Sequence, residues 1–112
     1  MSRLRLCWLT IVLLITLFSC KQKSANIDIS KLQSPCDHID ALVIVYEEMI
    51  DIRNGEETSK LDDKRWKQFE SVAKKGMEIE NHAKENDVDN IFLVGSCPNY
   101  NKYKELHFKA FR

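Results

Sequence analysis

The stretch SPCDHIDALVIVYEEMIDIRNG, residues 34–55, decides the fold. Ser34 offers a hydroxyl to cap a helix, and Pro35 takes the first helical position, where its missing N–H costs nothing. Asp37 stands three residues after the cap, as a capping box requires. Ile39, Leu42, Val43, Tyr46, Met49 and Ile50 then recur at spacings of three and four, the period of one helix face. Asn54-Gly55 supplies the stop. A helix with one long apolar stripe needs other elements to cover it.

Two further helices are expected downstream. The first begins near Ser59, with Asp62 and Asp63 at the favourable positive end of its dipole. Its stripe is Trp66, Phe69, Val72, Ala73, Gly76, Ile79 and Ala83, and Asn86-Asp87 closes it. Gly76 on the apolar side costs about 1 kcal/mol against Ala, so it marks either a close helix approach or a kink. Residues 88–95 hold the run Ile91-Phe92-Leu93-Val94, read as a short helical turn because a lone strand would have no partner. The last helix starts around Cys97-Pro98, capped by Ser96 or Cys97, with Tyr100, Tyr103, Leu106, His107, Ala110 and Phe111 as its stripe. The fold class is therefore all-α: a three-helix bundle over residues 34–112, or four helices if 88–95 adds a leg.

Upstream, the chain opens with Arg3 and Arg5 and no acid, then runs mostly apolar from Leu6 to Phe18. That length suits the core of an export signal, whereas a membrane-spanning helix needs about 20 apolar residues. Leu17-Phe18-Ser19-Cys20 resembles the lipobox of bacterial lipoproteins. The resemblance covers the first twenty residues alone, and Phe18 is bulkier than the commonest residue at its place. It implies that residues 1–19 are cleaved as a signal peptide and that the Cys20 thiol carries diacylglycerol, with palmitate-type acylation of the new amino terminus. Two or three acyl chains anchor stably where one is marginal. The localisation implied is the bacterial envelope, and Lys21 after the cysteine resembles outer-membrane sorting. Residues 20–33 read as the lipidated cysteine and a polar tether, whose Ile27, Ile29 and Leu32 could let its distal part lie on the domain.

The whole chain carries 17 basic and 17 acidic side chains. Loss of Arg3 and Arg5 with the signal leaves 15 against 17, no footprint for nucleic acid. With Cys20 lipidated and Cys7 discarded, Cys36 and Cys97 remain as a pair in an oxidising compartment. A bridge is expected, joining the beginnings of the first and last helices, which lie at the same end of an up-down-up bundle provided residues 88–95 do not form a full extra leg. Two free thiols or a metal pair is the alternative, but no C-x-x-C supports zinc.

Enzyme signatures are absent. There is no G-x-S-x-G, H-E-x-x-H, phosphate-binding glycine loop or C-x-x-C-H, and the chain has three glycines in all. No catalytic residue, metal site or cofactor is assigned. His82 and His38 are expected at the surface, and His107 partly buried on the apolar side of its helix. One feature rises above background. Asp37, Asp40, Glu47, Glu48 and Asp51 share one side of the first helix, with Ile44 in their midst. The expected function is non-enzymatic. A lipid-anchored envelope protein would bind another protein through this acidic side, in an immunity- or inhibitor-like role. The alternative is an accessory subunit of an envelope assembly, held by apolar contacts.

Overall fold

The computed structural model describes residues 23–111; the expected signal peptide and Cys20 lie outside them. Four α-helices occur among the described residues: α1 (Pro35–Arg53), α2 (Asp63–Glu85), α3 (Ile91–Val94) and α4 (Tyr100–Ala110). Short 3₁₀ turns at Ser24–Asn26 and Ile29–Lys31 precede α1, and a third, Thr58–Lys60, sits between α1 and α2. The described chain is an all-α bundle with no strand.

Helix α1 starts where its sequence dictates. The Ser34 hydroxyl accepts from the Asp37 N–H at 3.0 Å, and the Asp37 carboxylate accepts from the Ser34 and Gln33 N–H groups at 3.1 Å each. Asn54 ends the helix in the left-handed conformation, its N–H bonded to the Ile50 carbonyl. Between those caps, Ile39, Ala41, Leu42, Val43, Val45, Tyr46 and Met49 are all buried. That set exceeds a single stripe, and it is covered from several directions: α2, α4, α3 and the first N-terminal turn each pack on α1.

Two helix starts differ from expectation. Helix α2 begins at Asp63, beyond Ser59, because the Asp62 carboxylate accepts from the Arg65 N–H at 2.8 Å and makes the cap. Thr58–Lys60 folds as its own turn, and Leu61 is extended. Helix α4 begins at Tyr100 with Asn99 as cap, after Pro98, so neither Ser96 nor Cys97 caps it. Residues 88–95 do contain the short helical turn, α3.

Gly76 marks a close approach. A Cβ there would lie 3.1 Å from Val45 Cγ1, with Leu42 and Tyr46 atoms at 3.9 Å. Val45 is fully buried, so the α1–α2 crossing depends on the missing side chain. The Cys36–Cys97 disulfide forms, with Cα atoms 5.3 Å apart, and ties the start of α1 to the segment leading into α4.

Two arginines close the other end. Buried Arg53 donates from Nε to the Glu56 carbonyl at 2.8 Å, and from Nη1 to the Lys109 and Ala110 carbonyls. Arg65 donates to the Ile52 carbonyl at 2.9 and 3.1 Å, to the Arg53 carbonyl, and to the Glu56 carboxylate. Each guanidinium thereby satisfies carbonyls that a helix end leaves unpaired, where the dipole also favours a cation.

Residues 24–33, expected as a tether, are packed against the bundle as an arm. Ser24 and Ile27 are buried, and Ile29 and Leu32 pack against the core.

Gly76→Leu should destabilise by about 1–3 kcal/mol through overpacking. That corresponds to a fall of about 4–8 °C in Tm per kcal/mol at this size, read by thermal circular dichroism. Gly76→Ala should stay near wild type, because about 1 kcal/mol of helix propensity offsets the tight Val45 contact. Paired Cys36→Ser and Cys97→Ser changes should cost about 4 kcal/mol, the loop-closure entropy for a separation of 61 residues, measured by urea unfolding.

Candidate functional site

The acidic side of α1 is where the sequence pointed, and the structure gives most of its residues internal work. At 100° per residue, Asp37 and Glu48 lie toward the arm, whereas Asp40 and Glu47 lie toward α4. Glu48 Oε1 accepts from the Ser24 N–H at 2.9 Å and from the Ser24 hydroxyl at 2.7 Å, which satisfies both polar groups of a buried serine. Asp37 holds the Gln33 and Ser34 amides. Those bonds, the Ser34 amide foremost, hold its carboxyl below the ordinary carboxylate range. Asp40 accepts from Asn99 Nδ2 at 2.9 Å, and Glu47 pairs with Lys102 Nζ at 3.3 Å. Ile44 lies between them, half-buried against the core. The acids form a seam, with the arm fastened along one border and α4 along the other.

The histidines were misplaced by sequence reasoning. His38 is 1% exposed, and His82 is half-buried rather than solvated. His38 Nδ1 lies 2.7 Å from the Ser34 carbonyl, which can only accept, so Nδ1 carries the hydrogen. In the neutral ring Nε2 is then an acceptor, and His82 Nδ1 donates to it at 2.8 Å. The pair links the start of α1 to the last turns of α2 and leaves no buried ring nitrogen unpartnered. A sequence separation of 44 residues carries no signal for it. His107, expected partly buried, is exposed but lies among aromatic rings, with centroids 5.2 Å from Tyr46 and 5.1 Å from Phe111. Among the described residues no group of three or more His, Cys, Asp or Glu could hold a metal ion, and both cysteines are in the disulfide.

The feature that sequence reasoning noticed but gave no role is α3. Asn90 caps it by accepting from the Phe92 N–H at 2.7 Å, and a Cβ on Gly95 would meet the Ile91 carbonyl oxygen at 2.8 Å, so the turn closes on glycine. Three of its residues are exposed, Phe92 at 86%, Ile91 at 58% and Leu93 at 47%, while Ile91 and half-buried Val94 also line the space beneath the turn. Beneath it, a cavity of about 320 Å³ lies at the junction of all four helices, lined by His38, Leu42, Glu80, Val94, Tyr100 and Tyr103 among others. Exposed Glu85, Asp87 and Asp89 lead into the turn. Exposed apolar residues on one short, capped turn, preceded in the chain by acids, form a surface suited to binding another macromolecule.

Tyr46 anchors the interior beside this cavity. It is buried, and its hydroxyl donates to Glu80 Oε2 at 3.2 Å. Burial first, and the Glu80 carboxylate second, push its ionisation well above the ordinary phenol range; Tyr103 is raised for the same reasons.

No family model matches the chain, and no curated protein or solved structure matches it.

The fold binds neutral Tyr46, so its contribution to stability is complete below the unfolded tyrosine value, about pH 10. It is lost as pH rises above that, because the unfolded chain then releases a proton the folded chain keeps. Urea unfolding of wild type and Tyr46→Phe should show a constant stability difference up to about pH 10 and a shrinking one above. A difference independent of pH through that range would show that Tyr46 ionises alike in both states.

Proposed function

We propose that this is a lipid-anchored bacterial envelope protein, acylated at Cys20 after removal of residues 1–19, which acts by binding another protein and is not an enzyme. The lipobox resemblance at Leu17-Phe18-Ser19-Cys20 supports the anchor. Among the described residues no helix is long and apolar enough to cross a membrane. Exposure of Ile91, Phe92 and Leu93 on α3 carries the binding reading. Burying a side chain of that size is worth roughly 1.5–3 kcal/mol, and three lie together on a capped turn. The partner chemistry that fits is an apolar groove rimmed by cations, complementary to Glu85, Asp87 and Asp89. This favours the accessory-subunit role over an immunity-like role through the acidic side of α1, where Asp37, Asp40, Glu47 and Glu48 already hold parts of the same chain.

The test is affinity capture with the full-length, processed protein solubilised from the envelope in mild detergent. Phe92→Ser should weaken the captured complex about thirtyfold, the equivalent of roughly 2 kcal/mol of lost apolar burial. High salt should weaken capture without abolishing it, because it screens the exposed Glu85, Asp87 and Asp89 but leaves the apolar burial in place. A partner kept by Phe92→Ser, but lost with Asp40→Lys and Glu47→Lys and at high salt, would instead assign the contact to the acidic seam.

A further inference from the structure

We propose that the face of the domain carrying the docked arm rests directly on the anionic bilayer surface that holds the anchor. The proposal rests on the lipid-anchor reading of Cys20 and adds to it the orientation of the domain. Ser24 is fixed in the structure: it is buried, and both its amide and its hydroxyl are bonded to Glu48. Only residues 21–23 separate it from Cys20. Four residue steps, fully extended, span at most about 14 Å. A bundle two helices deep, each about 10 Å across with its side chains, is roughly 20 Å thick. A leash shorter than the thickness of the body it holds cannot bring the far face to the membrane.

The near face is chemically suited to such a surface. A shallow cleft of about 690 Å³ opens beside Ser24, between the arm, α1 and α2, and its lining includes Lys23, Lys67 and Lys75 with Glu48 and Asp51. Glu48 is already engaged by Ser24. Lys67 is exposed and Lys75 is half-buried. Lysine stems lie along apolar surface while their ammonium groups reach outward, and juxtamembrane lysines are drawn to anionic headgroups.

The same geometry places α3 away from the bilayer. The arm covers the Ala41 and Glu48 side of α1, whereas α3 and its cavity adjoin Ile39 and Leu42. With His38, which lines the same cavity, those sides are centred about 120° apart around the helix. Glu48 also lies ten residues beyond His38, about 15 Å along the axis. Ile91, Phe92 and Leu93 are therefore presented to the aqueous compartment.

The experiment uses the processed, acylated protein in vesicles containing phosphatidylglycerol, treated with an impermeant amine-acetylating reagent and read by peptide mass spectrometry. The comparison is a variant with about ten Gly/Ser residues inserted after Gln22, which adds roughly 17 Å of root-mean-square reach. Lys67 and Lys75 should be acetylated severalfold more slowly in the natural chain than in the insertion variant, with Lys84 and Lys104 reacting equally in both. Equal rates at Lys67 and Lys75 in the two proteins, or protection of Lys84 and Lys104, would overturn the orientation. Intact mass reports the anchor separately: a chain lacking acyl groups on Cys20 would refute the anchor reading, and this proposal with it. An acylated chain with unprotected lysines would refute the orientation alone.

Discussion

Covering α1 on several sides is the requirement on which the rest of the structure depends. Leu42, Val45, Tyr46 and Met49 form one nearly or wholly buried stripe, yet Ala41 and Val43 are buried too, one on each side of it and about 200° apart around the helix. A helix apolar over so much of its circumference must be surrounded. Helix α2 supplies one wall through Phe69, Val72 and Ile79, and α4 supplies another through Ala110, with Tyr103 and Leu106 packed beside it. Neither reaches the third side. The arm does, with Ile27 buried and Ile29 and Leu32 resting on the core. A chain of this size has little area to spare, so a segment that looks like a tether is drawn into the fold.

Polar groups then follow the apolar requirement. Each element laid against α1 brings unsatisfied backbone or side-chain groups, and α1 provides their partners. Glu48 and Asp37 receive the arm, Asp40 and Glu47 receive the start of α4, and Arg53 receives the carbonyls at its end. The acidic side is thus a consequence of packing. It occupies the sector between two fastened elements, which is where charged residues are least costly. Function, on this view, moves to the residues that the fold leaves without work. The Ile91–Leu93 turn stands out among them, because apolar side chains are exposed there on a turn whose ends are both capped.

Arm and turn belong to one arrangement. Glu48 of α1 holds the arm's Ser24 close to the proposed anchor, and α3 lies about 120° further around α1. An anchored domain of this shape would carry its apolar turn at a defined distance and angle from the bilayer. The disulfide supports the same end of the molecule, since Cys97 lies between α3 and α4 and is bridged to the first turn of α1.

The sequence by itself determined the helical class, the caps at Ser34 and Asn54, the short turn at residues 91–94 and the Cys36–Cys97 pair. These rest on local chemistry or on a period that survives in one dimension: a hydroxyl before a proline, a residue that tolerates the left-handed region, apolar residues every three or four. At Gly76 the sequence left a close approach and a kink open, and the structure shows the close approach. Only the tertiary structure decided the rest. The start of α2 depended on which of several polar residues found the better amide, and Asp62 did. Ile27, Ile29 and Leu32 were legible as residues that could lie on the domain, but the fastening of Ser24 to Glu48, 24 residues apart, was not. The His38–His82 bond joins residues 44 apart, and each histidine, taken alone, looked like a surface residue. The acids of α1 were legible as a face. That four of them were already engaged depended on Ser24, Gln33, Asn99 and Lys102, which meet them only once the chain has folded.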